Sequence, residues 1–149
     1  MSIETAILQE KFQSEHEKAV VNILYTSSWL HHVNASRLKP FAITPEQFNV
    51  LRILRGSHPK PMMLNDIACR MIDKSSNATR LVEKLRQKTM VDRKQCENNR
   101  RQVDISITQK GLLILKEIDQ LESEFIQTLK NLSKDEAAQL NSLLDKLRG

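Results

Sequence analysis

Glycine is scarce: Gly56, Gly111 and Gly149 are the three in 149 residues. That leaves too few turn formers for a many-stranded sandwich or barrel. Neither G-x-G-x-x-G nor G-x-x-x-x-G-K-[ST] can be written with them, which excludes nucleotide enzymes built on phosphate-cradling loops. Two cysteines, Cys69 and Cys96, argue against a disulfide scaffold. No apolar run approaches the ~20 residues that cross a bilayer. The start, Met1-Ser2-Ile3-Glu4-Thr5, lacks the basic and apolar regions of a secretion signal. No Ser-His-Asp or Cys-His spacing supports nucleophilic catalysis, and Glu15 with Glu17 reads as a solvated helix face. His31 and His32 are adjacent and so do not form the i, i+4 pair of a helical metal site, and His16 and His58 stand apart. The expectation is a soluble, cytoplasmic, helical protein with no catalytic residue, metal or cofactor.

What is present is a basic middle. Residues 37–111 hold sixteen Lys and Arg against seven Asp and Glu, a net of +9, while the two flanks together carry −4. One segment therefore suits a polyanion and the flanks serve another purpose.

From Ile3 to about Leu38 apolar residues recur at helical spacing without proline or glycine: Ile7, Leu8, Phe12, Val20, Val21, Leu24, Trp29, Leu30 and Val33. This predicts one long helix, with any break at Thr26-Ser27-Ser28, ended by Pro40. Thr44-Pro45-Glu46-Gln47 is a capped helix start, with Phe48, Leu51 and Leu54 on one face and Gly56 placed to terminate. A short helix follows at about Asn65–Met71, turned inward through Ile67, Ala68 and Met71. A second begins near Ser75 and runs to about Lys88, with Leu81, Val82 and Leu85 buried. Two short helices joined by a tight turn form a helix-turn-helix. Val103, Ile105 and Ile107 then alternate with polar residues, the pattern of a half-buried strand. With the charged tip Glu97–Arg101 they make a hairpin, a wing beside the helices. Thr108 caps a long helix striped by Ile114, Ile118, Leu121, Phe125, Leu129 and Leu132. Ser133 and Glu136 open a last helix bearing Leu140, Leu143, Leu144 and Leu147.

The predicted fold is mainly α, a winged helix-turn-helix between flanking helices. Residues 1–38 form an N-terminal dimerisation helix, 39–111 the winged helix-turn-helix, and 112–149 the C-terminal dimerisation helices. The flanking stripes need a surface to cover them, either their own chain or a second copy. A two-fold pair would place two reading heads about one helical turn of DNA apart, ~34–36 Å.

On the second helix, Ser75, Ser76, Asn77, Thr79 and Arg80 suit base edges and phosphates, with Lys74 and Lys84 beside them. Asn77 can pair with adenine, Arg80 can address guanine or a phosphate, and Ser75 or Ser76 can instead simply cap the helix. Arg100 and Arg101, with Asn98 and Asn99, stand where the hairpin turns and suit the negative potential of a minor groove. Arg86, Lys88, Arg93 and Lys94 read as phosphate attraction or plain surface.

The residues from Ile43 to Gly111 resemble the multiple antibiotic resistance regulator (MarR) family of winged-helix repressors. The likeness is carried by Thr44-Pro45-Glu46-Gln47-Phe48-Asn49-Val50-Leu51, Leu64-Asn65-Asp66-Ile67-Ala68, and the run from Ser76 to Leu85. It continues through Arg100-Arg101-Gln102-Val103 and Ile107-Thr108-Gln109-Lys110-Gly111. The hairpin followed by T-x-K-G is the most specific part. The resemblance implies a homodimer joined by its terminal helices, on pseudo-palindromic double-stranded DNA in the cytoplasm at the nucleoid. The recognition helix would lie in the major groove and the wing in the minor groove. It also implies, for many members, release by a small phenolic or other hydrophobic effector. Two positions depart from the family pattern: Asn99 replaces the usual wing aspartate, and Thr89 the usual glycine after the recognition helix.

Trp29, Leu30, Val33, Phe41 and Phe48 are the apolar residues that can line an effector pocket near the junction of the flanks and the winged module, or simply form core. Cys69 is expected in the core. Cys96, near the wing tip with Arg93 and Arg100 close in sequence, is an expected exposed thiol and a candidate oxidant sensor. The alternatives to a DNA-binding regulator are that sensor and a winged-helix protein–protein adaptor that never touches DNA.

Overall fold

The structure, a computed structural model, describes residues 1–127 and 130–149, with the backbone alone at 100, 122–124 and 127. Leu129 and the side chain of Arg100 therefore lie outside the described residues. The order is α1 (Ile3–Ile7), α2 (Glu15–Leu38), a 3₁₀ turn (Lys39–Phe41), α3 (Pro45–Ser57), β1 (Met62–Met63), α4 (Leu64–Arg70) and α5 (Ala78–Gln87). Then come β2 (Val91–Cys96), β3 (Asn99–Ile107), α6 (Gln109–Gln127) and α7 (Lys134–Arg148). The strands form an antiparallel sheet in the order β1-β3-β2. This is the expected mainly helical winged helix. Among the described residues no helix is long and apolar enough to cross a membrane.

The N-terminal helix breaks earlier than its composition indicates. Leu8 closes α1 in the left-handed region at φ 54°. Ser14 then starts α2, its hydroxyl accepting from the Glu17 amide at 3.1 Å while Glu17 Oε2 accepts from the Gln13 amide at 2.5 Å. Thr26-Ser27-Ser28 stays helical inside α2, since serine and threonine cost only a few tenths of a kcal/mol, roughly, per helical position. Lys18 bridges back to Glu4 at 2.5 Å, and that ammonium holds the Glu4 carboxyl down at about 2.

The capping box at Thr44 and Gln47 forms as the sequence implies. Gly56 does not terminate α3; the helix continues to Ser57 and stops before Pro59. Val50, Leu51 and Leu54 of α3 meet Ile67, Leu85, Val91 and Ile105, and Leu38 closes the core from the end of α2. Among the described residues of α6, Leu115 and Ile118 are fully buried. Ile114, expected in the stripe, is half-buried one residue out of phase with Leu115. Arg55 of α3 grips Asp119 of α6 with two hydrogen bonds, 2.6 and 3.3 Å. Cys69 is not in the core. It stands two residues, about 200° of helical turn, from the buried Ile67, and is exposed, while Cys96 is the half-buried thiol.

Helix α5 ends in a Schellman turn. The Thr89 amide donates to Arg86 O at 2.9 Å and the Met90 amide to Leu85 O at 3.0 Å. Such a turn needs a left-handed residue, and here Thr89 supplies it at φ 60° despite its branched Cβ. The T-x-K-G run holds it in place. Thr108 Oγ1 donates to Thr89 O at 2.7 Å and accepts from the Gly111 amide at 3.2 Å, while Lys110 Nζ donates to Lys88 O at 2.9 Å. Thr89→Gly is expected to stabilise the fold by about 0.5–1 kcal/mol, strain relief outweighing the flexibility of glycine in the unfolded chain. A urea titration checks this: the midpoint should rise with an unchanged slope, and a lower midpoint would mean that the threonine hydroxyl contributes more than its backbone costs.

Candidate nucleic-acid interface

Helix α5 starts at Ala78, three residues later than expected, because Asn77 is the cap. Its Oδ1 accepts from the Arg80 amide at 3.0 Å. Asn77 is thereby engaged in starting the helix, in the role expected of Ser75 or Ser76. Asp73 organises the residues before it, accepting from the Ser75 amide at 2.8 Å and the Ser75 hydroxyl at 2.7 Å, and those bonds hold its carboxyl below the usual range. Ser76 is half-buried. Lys74 turns back to cap α4, donating to Cys69 O at 2.5 Å. Lys74, Ser75 and Asn77 thus all have internal partners.

What remains open on α5 is Thr79, Arg80 and Lys84. All three are exposed, and none has a side-chain hydrogen bond or ion pair among the described residues. They share one groove with Asn77, Glu83 and Gln87. Arg86 differs: it pairs with Glu83 at 2.8 Å, which draws the Glu83 carboxyl below its ordinary range. The exposed face of α5 is thus a strip of uncommitted cations and a hydroxyl on a segment of net charge +9.

The hairpin turns at Glu97-Asn98, not at the arginines, and Arg100 and Arg101 are early residues of β3. Gln95 faces Val103 while Cys96 faces Asn99, so the register shifts between Gln95 and Cys96. This bulge turns the strand locally. Asn99 Oδ1 accepts from the Arg101 amide at 3.1 Å, so the uncharged residue in the aspartate position still fixes the backbone at Arg101. The Arg101 side chain is exposed and lines a cleft of about 360 Å³ with Thr79, Arg93, Asn99 and Gln102. The wing and the open face of α5 meet in that cleft. Asn98 is exposed at the turn itself.

Sequence reasoning passed over β1. Its two residues carry no periodicity, yet Met62 pairs with Ile105 and Met63 lines the cleft. Arg93, read from sequence as phosphate attraction or plain surface, lines the same cleft.

Among the described residues, the five apolar residues proposed for an effector pocket are spread between core and surface. Phe48 is core, Phe41 packs against the core from outside, and Trp29 is 42% exposed on α2. The cavity at the junction of α2, α3 and α6, about 490 Å³, shares only Phe48 with that set; Arg37, Asn49, Arg52, Ile72 and Phe125 also line it. Arg37 lies over the Phe48 and Phe125 rings at 5.2 and 4.2 Å, and Arg52 over Phe48 at 5.7 Å. The polar groups around this cavity were missed because an apolar search does not select arginine stacked on a ring.

Three similarities bear on this arrangement. The chain is 26% identical over 111 residues, 74% of its length, to the transcriptional repressor MprA of Escherichia coli K12, and the match spans 63% of that relative. A MarR-like transcription regulator from Bacillus cereus superposes with a TM-score of 0.80 at 21% identity, covering 90% of this chain and 96% of that one. A MarR mutant from E. coli in complex with operator DNA superposes with a TM-score of 0.80 at 26% identity, covering 93% and 99%. Residues 43–103, the span from the entry to α3 through the wing bulge, match the MarR family, and this chain has a winged helix-turn-helix fold similar to that of MarR regulators.

Proposed function

We propose that the chain is a sequence-specific transcription regulator, acting as a repressor, that binds pseudo-palindromic double-stranded DNA as a homodimer in the cytoplasm. The observation that carries this is the open strip Thr79-Arg80-Lys84, whose Thr79 lines one cleft with the exposed Arg101, on the most basic part of the chain. Short polar and guanidinium groups at the start of a recognition helix address base edges, and a wing arginine addresses the minor groove. The E. coli MarR mutant complexed with operator DNA supports the same use of the fold.

Dimerisation is supported by what the single chain leaves uncovered. Residues 1–38 and 112–149 are read as the dimerisation arms and 39–111 as the DNA-binding region. On α2, Leu24 is 65% exposed and Trp29 42%; on α7, which has no buried residue, Leu143 and Leu147 are 64% and 63% exposed. Covering such faces with the same faces of a second copy is the two-fold solution. A small hydrophobic or phenolic effector is read as the release signal, with the cavity between Arg37, Phe48, Arg52 and Phe125 as its place. It acts only if it binds the DNA-incompetent state more tightly.

Selection of bound sequences from a random DNA pool tests the reading. An inverted repeat with half-site centres about 10–10.5 base pairs apart is expected; recovery of no sequence, together with no gel shift at low salt, would favour a protein–protein adaptor. On the selected operator, Arg101→Ala is expected to weaken binding and to make the plot of log affinity against log salt shallower by about one unit per half-site. Arg100→Ala is expected to act in the same direction, and an unchanged slope in both would remove the wing from the interface.

A further inference from the structure

The geometry points to Lys88 as a positioning residue that fixes the angle of α5 relative to the dimerisation arms, and thereby the spacing at which two recognition helices meet DNA. The inference rests on the DNA-binding reading above.

Lys88 follows the last residue of α5 and its side chain is half-buried. Its ammonium is committed to two internal acceptors, the carbonyl of Ala42 and, at 3.1 Å, Gln47 Oε1. Ala42 closes the 3₁₀ turn that follows α2, with φ 54°. Gln47 is 3% exposed, and the same Oε1 accepts from the Thr44 amide at 3.2 Å. One amine therefore joins the exit of α2, the capping box of α3 and the end of α5. From the other side, α6 holds the same turn: Lys110 Nζ donates to Lys88 O at 2.9 Å and Thr108 Oγ1 to Thr89 O at 2.7 Å. The end of the recognition helix is thus clasped between the arm that enters the winged module and the arm that leaves it.

Two of the three ammonium protons serve protein acceptors, so Lys88 is not read as a phosphate contact. A small rotation of α5 about this clasp is doubled across the two-fold axis and changes the half-site separation. The residue therefore acts on spacing specificity more than on affinity for DNA in general.

The test compares the selected inverted repeat with the same repeat carrying one base pair inserted between its half-sites, using the full-length chain. Lys88→Met keeps the aliphatic stem and removes the donors. It is expected to lower the ratio of the two affinities roughly fivefold or more, with an unchanged salt slope and with the ratio recovered by Lys88→Arg. A wild-type ratio in Lys88→Met overturns the inference, because lost stability alone weakens both duplexes alike. A slope shallower by about one unit also overturns it, identifying a phosphate contact. If Lys88→Met does not fold, Lys110→Met loosens the same turn from α6 and must lower the ratio; an unchanged ratio there counts equally against the clasp. A pool that yields no inverted repeat fails the DNA-binding reading itself. A repeat whose spacing preference survives both variants fails this inference alone.

Discussion

Arg80→Ala is expected to weaken binding to the selected operator by about 1–3 kcal/mol per half-site and to relax the base preference at one position in each half. Arg80 is exposed in the first turn of α5, its amide held by Asn77 and its guanidinium uncommitted among the described residues. Nothing in the fold depends on that guanidinium, so the unfolding midpoint should stay within about 0.5 kcal/mol of wild type. Fluorescence titration against the operator and a set of single-base variants reads both effects. A uniform loss across all variants, with a shallower salt slope, would assign Arg80 to a phosphate. An unchanged affinity would take α5 out of the DNA interface.

Gly111→Ala is expected to destabilise the protein by about 1–3 kcal/mol. An added Cβ would lie 2.5 Å from Met90 O and 2.7 Å from Ile107 Cγ1. The carbonyl cannot easily yield, because Met90 O accepts from the Thr108 amide at 3.0 Å inside the turn that holds Thr89. The substitution therefore pushes α6 away from the end of the recognition helix. Urea unfolding should show a lower midpoint, and operator affinity should fall at temperatures where the variant remains folded. An unchanged midpoint would mean that α6 and the wing are free to separate, and the clasp around Lys88 would lose its support. In this light the T-x-K-G run is a joint: threonine caps and ties, lysine bridges, and glycine permits the contact.

The features legible in the sequence are those set by neighbouring residues. Thr44 with Gln47 and Ser133 with Glu136 form reciprocal caps because both partners lie within one helical turn. The alternation of Val103, Ile105 and Ile107 identified β3 because one face of the sheet is buried. The break after α1 had a local sign in Ser14 and Glu17, but an unbroken apolar rhythm masked it. Leu8 and Thr89 take left-handed backbone that their side chains disfavour, and only long-range partners such as Thr108 and Lys110 reveal why at Thr89. The bulge at Arg100–Gln102 and the pairing of Met62 with Ile105 depend on register between distant segments. Among the site residues, the open face of α5 followed from helical period, whereas the inward commitment of Lys88 depends on acceptors more than forty residues away that folding brings near. At the cavity between α2, α3 and α6, hydrophobicity located Phe48 but not the arginines stacked on it.

Sedimentation equilibrium of the full-length chain, alone and with the selected duplex, tests the central claim most directly. Two chains free in solution, and two chains on each duplex released together as salt is raised, are the predicted result. A monomer that remains unbound to DNA in dilute buffer would contradict it.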